Sequence, residues 1–82
     1  MKTYTVNAMQ EMEQFKTDYG YNIKGNLICN CSIMVEGLLL VEGSLSIKVG
    51  ESIKVGGSIK AGGYIKAGES IEAGWSYGIS AG

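Results

Sequence analysis

From Ile23 onward, every sixth residue of the chain is apolar: Ile23, Cys29, Val35, Val41, Ile47, Ile53, Ile59, Ile65, Ile71 and Tyr77. Two residues after each comes a small or apolar partner: Gly25, Cys31, Gly37, Gly43, Val49, Val55, Ala61, Ala67, Ala73 and Ile79. Side chains at i and i+2 of a strand share a face, so each pair predicts a short strand with two inward residues and an outward one between them. In Ile59-Lys60-Ala61 the lysine faces out, and Gly62-Gly63 turns the corner. One such side is too short to fold alone. Stacked coils pair their backbones and bury columns of aliphatic side chains.

The pattern changes partway along. Between Ile23 and Val49 every odd position is apolar or Gly, which inserts Leu27, Ile33, Leu39 and Leu45 as further inward residues. After Glu51 the same slot holds Glu51, Gly57, Gly63, Glu69 and Trp75. The period leaves two or three sides per coil open. Two would separate Glu51 from Glu69 but stack more lysines on one another. The favoured three, about 18 residues per coil, predict a triangular solenoid of about three coils over residues 23–82. That spacing stacks Glu36, Lys54 and Glu72 on one ladder and Lys24, Glu42 and Lys60 on another, with alternating sign in each, but it also sets Glu51 on Glu69 and Lys48 on Lys66.

Residues 1–22 lie outside the pattern and read as a strand and helix that cap the stack. Lys2 to Val6 alternates as a strand. Asn7 is a helix N-cap candidate, with Gln10 three residues on. Ala8, Met12, Phe15 and Tyr19 then fall on one helical face, with Met9 beside it. The expected helix is α, from about 8 to 19, stopped by Gly20. The fold class expected is thus mostly β, one solenoid with a single N-terminal α-helix. A home for its apolar stripe is offered by four outward residues of the early coils, Ile28, Met34, Leu38 and Leu40, which would otherwise mark a partner surface. At the other end Trp75 and Tyr77 either plug the last coil or join it to a second copy; self-association, as a closed dimer, is the expectation.

Composition narrows the function by exclusion. The chain of 82 residues permits one domain. It carries a net charge of −1 without a clustered basic stripe, which disfavours nucleic acid as a partner. The lysines at 48, 54, 60 and 66 would point in different directions around a three-sided coil. No apolar run at the N-terminus reads as a signal or membrane span, so a cytoplasmic place is expected. Cys29-Asn30-Cys31 has the look of a metal motif, yet the sequence has no His and no second cysteine pair to complete a site, so no cofactor is expected. Glu51, Glu69 and Glu72 would sit on convex corners, where nothing tunes a carboxylate for acid–base work. The serines at 46, 52, 58, 70 and 76 are interrupted by Tyr64, unlike the flat hydroxyl arrays of ice-binding solenoids. No enzyme is expected.

With the stretches SIKVGESIKVGG and SIKAGGYIKAGE in view, the chain resembles left-handed hexapeptide-repeat proteins, many of them acyltransferases. The sizes are reversed relative to that family, since Ala61 precedes Gly62 and Ile59 stands two places earlier, and the family's catalytic His is missing. Residues 41–82 also look like bactofilins, cytoskeletal β-helix proteins that polymerise end to end. Short Gly-rich "IKAG" chains are further similar to small bacteriophage accessory proteins, among them the anti-CRISPRs. That last resemblance implies a non-catalytic inhibitor that binds a host protein complex. Ile28, Met34, Leu38, Leu40, Tyr64, Trp75 and Tyr77 are the expected contact residues, because large apolar and aromatic side chains anchor interfaces.

Overall fold

In the computed structural model, which describes residues 2–66, 68–74 and 79–81, the chain winds as a three-sided β-solenoid of about four turns. β1 (Thr3–Val6), a 3-10 helix (Met9–Phe15) and β2 (Lys16–Thr17) come first. The winding then runs through β3 (Gly20–Ile23), β4 (Asn26–Cys29), β5 (Ile33–Val35), β6 (Leu38–Val41), β7 (Leu45–Ile47) and β8 (Ser52–Val55). It ends with β9 (Ile59–Ala61), β10 (Ile65–Lys66), β11 (Ser70–Ala73) and β12 (Ile79–Ala81). Each face is one sheet, ordered β1-β4-β7-β10, β5-β8-β11 and β2-β3-β6-β9-β12. All strand pairs are parallel except β2–β3.

The core is a set of stacked aliphatic columns. Leu27 lies over Leu45, Ile33 over Ile53 and Leu39 over Ile59, all buried. Each such side chain removes apolar surface from water on both of its stacked sides, worth about 1.5–3 kcal/mol per residue. The corners are closed by glycines stacked through their backbones: Gly43 N–H donates to Gly25 O at 2.9 Å and Gly63 N–H to Gly43 O at 2.9 Å.

The inward frame differs from the one the periodicity suggests. The expected small partners Gly25, Gly37 and Gly43 are corner residues, and Leu27, Ile33, Leu39 and Leu45, mere extras in that frame, are the core. In the later coils the expected pairs hold, with Ile53 and Val55, then Ile59 and Ala61, turned inward. The two frames differ by two residues. They are reconciled at the corner between β7 and β8, where the chain takes a longer path. Glu51 N–H donates to Lys48 O at 3.0 Å and Gly50 sits at φ +87°. Val49, expected inside, projects from this turn. As a result Leu27 pairs with Leu45, 18 residues on, whereas Leu45 pairs with Ile65, 20 residues on. A uniform spacing of 18 is therefore corrected. The expected ladder of Glu36, Lys54 and Glu72 is instead Met34, Lys54 and Glu72, and Lys66 stacks on Ser46, not on Lys48. Period-two alternation cannot distinguish these frames when every odd position is apolar or Gly, because each frame puts only such residues inside.

The N-terminal segment also departs from expectation. The helix is 3-10 and ends at Phe15, whereas the apolar stripe predicts an α-helix to residue 19. Ala8, not Asn7, occupies the N-cap position. The Asn7 N–H donates to Glu11 Oε1 at 2.9 Å, and its Oδ1 accepts from Asn30 Nδ2 at 2.8 Å. Gly20 opens β3 instead of stopping a helix, and Tyr19 is exposed. Met12 and Phe15 are buried over the first coil, and the Phe15 ring meets Tyr4 edge-on at 5.2 Å. The segment thus closes the end of the stack, with β1 on one face, the helix at the next and β2 on the third. It borders the outward apolar residues without covering them: Thr5 flanks Ile28, Met9 shares a depression with Met34, and Met34 stays 61% exposed.

Candidate interaction surfaces

The outward apolar residues are dealt out among the three faces, because residues six apart on a three-sided coil fall on successive sides. Ile28 projects from β4 between Thr5 and Ser46. Tyr64 stands at the corner before β10, its N–H donating to Ser44 Oγ at 3.2 Å, and is 63% exposed. The structure brings these two together: both line a shallow depression of about 410 Å³ with Thr3, Asn26, Ser44 and Ser46.

Met34 belongs to a different face. It projects from β5 beside Lys54 of β8, with Glu72 of β11 next on the same ladder, and is 61% exposed. Met9 of the 3-10 helix shares with it a depression of about 370 Å³, whose rim carries Ser32, Ser52 and Ser70. The sequence marks Met9 only as an edge of the helical stripe. It stands at the first position of the 3-10 helix and is 49% exposed.

Leu38 and Leu40 lie on the third face and are half-buried. Leu38 pairs with Gly20, and Leu40 stands between Asn22 and Lys60. Asn22 Oδ1 is buried without a hydrogen-bond partner among the described residues, in a depression lined also by Tyr4, Gln14, Phe15, Lys16, Thr17 and Lys24. Trp75 and Tyr77 lie outside the described residues.

The polar inventory is spread in the same way. Lys66, Lys54 and Lys60 occupy one face each. The Glu69 N–H donates to Glu51 O at 3.1 Å, so these two corners stack as the spacing suggests, and Ser32 Oγ donates to Glu51 Oε1 at 3.0 Å. The cysteines part company: Cys29 points into the core, while Cys31 is half-buried at a corner, and both are free thiols. Burial, with the neighbouring Cys31, pushes the Cys29 thiol up to about 12. Burial and then the Glu51 and Glu11 carboxylates raise that of Cys31. Both shifts favour the neutral thiol over the thiolate that a nucleophile requires. Among the described residues no group of three or more metal-ligating side chains converges, and no helix is long and apolar enough to cross a membrane.

No protein-family model matches this chain, nor does any curated protein or solved structure.

Proposed function

We propose that this chain is a non-catalytic binding protein that inhibits a host protein complex by stoichiometric occupation, in the manner of the phage-encoded anti-CRISPRs it resembles. The observation that carries the reading is the pair of exposed methionines, Met9 and Met34, lining one depression on a face of otherwise short polar side chains and one Lys–Glu ladder. Methionine is unbranched and polarizable, and it adapts to a partner's surface. Backbone-paired strands stiffen the platform beneath. Titration into DNA-cleavage reactions of a panel of CRISPR effector complexes tests the reading. Inhibition should saturate at a fixed ratio of chain to complex, and Met34→Glu should weaken it. Loss of activity at ratios far below one to one would overturn the stoichiometric mechanism, and a panel left wholly uninhibited would remove the anti-CRISPR reading.

A self-assembling structural role of the bactofilin kind is the second reading. It is favoured by the outer edges of β10, β11 and β12, which have no strand neighbour among the described residues. The covered first coil counts against the head-to-tail growth such a role needs.

A further inference from the structure

The two ends of the solenoid are finished differently. The first coil is covered by β1, the 3-10 helix and β2. The last strand of each face, β10, β11 or β12, has no neighbour on its outer edge among the described residues. Core burial fails at the same place. Along one column Leu39 and Ile59 are fully buried, whereas Ile79, the next residue up, is 47% exposed. Along another, Ile33 and Ile53 are buried and Ile71 is only partly so.

The shape of this end selects its complement. Each turn climbs by one strand spacing, about 4.8 Å, so each successive side climbs about a third of it. β10, β11 and β12 follow one another around the coil and form a rising ramp. Two copies set end to end about a two-fold axis fit when their heights add to a constant. That holds when the low strand β10 meets the second copy's high strand β12 and the middle strand β11 meets itself. Either other two-fold arrangement leaves a gap of one full strand spacing. The same rotation makes every facing pair antiparallel.

The register follows from hydrogen bonding and charge. Gly74 N–H donates to Val55 O at 2.8 Å, toward β8. By alternation Ile71 and Ala73 turn their N–H and C=O groups to the free edge. Centring the pair on Ile71 lets each copy's Ile71 exchange both bonds with the other and sets Ser70 opposite the second copy's Glu72. Centring it on Glu72 would set two carboxylates against each other, which is unfavourable. From this geometry we infer that the chain forms a closed two-fold dimer through its last coil. Its seam is an antiparallel pair of β11 strands centred on Ile71, flanked by β10 against β12. Ser70 and Glu72 also line the Met9–Met34 depression, but the inference does not rest on the inhibitor reading and its test reads association alone.

Light scattering after size exclusion of the full chain, over a wide concentration range, should give a discrete dimer. Ser70 and Glu72 are exposed, so substitutions there leave the core alone. Ser70→Glu places like charges opposite each other twice per dimer and should weaken association about ten-fold; Ser70→Lys places opposite charges there and should tighten it similarly. The two positions form a non-hydrogen-bonded cross-strand pair, a spacing a disulfide can bridge. In a Cys31→Ser background, Ser70→Cys with Glu72→Cys should yield a covalent dimer under mild oxidation, and Glu72→Cys alone should not. A monomer at all concentrations, polymers that grow with concentration, a dimer indifferent to both Ser70 substitutions, or cross-linking by Glu72→Cys alone would each overturn the inference.

Discussion

Val49 and Val55 occupy equivalent places in the near-identical stretches Ile47-Lys48-Val49-Gly50 and Ile53-Lys54-Val55-Gly56, yet Val49 is 83% exposed and Val55 1%. The turn at Lys48–Glu51 separates their fates. Val55→Ala should cost about 2 kcal/mol, through lost burial and the space left behind. Val49→Ala should stay within about 0.5 kcal/mol of the parent. Urea unfolding of the two variants side by side checks this, and equal losses would mean that the long corner is wrongly placed.

Two glycines should fail for different reasons. A Cβ on Gly50 would meet only open space, but the positive φ there is costly for L-residues, so Gly50→Ala should lose about 1 kcal/mol. A Cβ on Gly62 would strike the Glu42 carbonyl oxygen of the coil beneath. The coils cannot separate there without breaking the Gly62 N–H bond to Val41 O, at 2.9 Å. Gly62→Ala should therefore cost more, about 1–3 kcal/mol as an overpacked contact. Thermal unfolding of both variants gives the ranking.

Cys29 should make stability fall at high pH. Its thiol titrates at about 12 in the folded chain against a value of 9.0 for an unperturbed thiol. The folded state therefore holds the proton more tightly. Its contribution is fully present below pH 9 and is lost as the pH rises toward 12. Cys29→Val should flatten the stability profile between those limits relative to the parent. With a thiol reagent at about pH 8, near the range where an ordinary thiol begins to ionise, Cys29 should react only as fast as the chain opens.

The N-terminal closure should behave as part of the core. Phe15→Ala removes a buried ring together with its edge contact to Tyr4, and about 3–5 kcal/mol is expected. Hydrogen exchange at β3 and β4 should rise with it, since both would lose their cover. Unchanged protection there would place the stabilising role of Phe15 within its own segment.

Much of the fold is legible in spacing alone. Short strands, glycine corners and inward Ile53, Ile59 and Val55 follow from period two nested in period six, whereas the number of sides per coil does not, since a two-sided coil fits the same period. The early coils are less legible, because Leu27-Ile28-Cys29 and its neighbours satisfy alternation in two frames, and only the stacking of whole coils chooses between them. The short helix is illegible for a related reason. Its length is set by where β2 must begin in order to pair with β3, a tertiary demand that overrides the stripe from Ala8 to Tyr19. The outward residues Ile28, Met34 and Leu40 are identifiable as a class. Their scattering over three faces becomes visible only once the coil closes.

Stretches as alike as Ser46–Gly50, Ser52–Gly56 and Ser58–Gly62 could exchange places, since each would fill another's side of the coil almost equally well. A chain built only of such sides would have several threadings of nearly equal energy, and its landscape would be rough. The two-residue offset at the long corner between β7 and β8 removes that degeneracy. A chain slipped by one side must set Val49-Gly50 where a tight glycine corner belongs, or pull Gly43 into the aliphatic column. The irregular turn works as a key cut into a repetitive thread, so that monotonous sequence still has one way to wind.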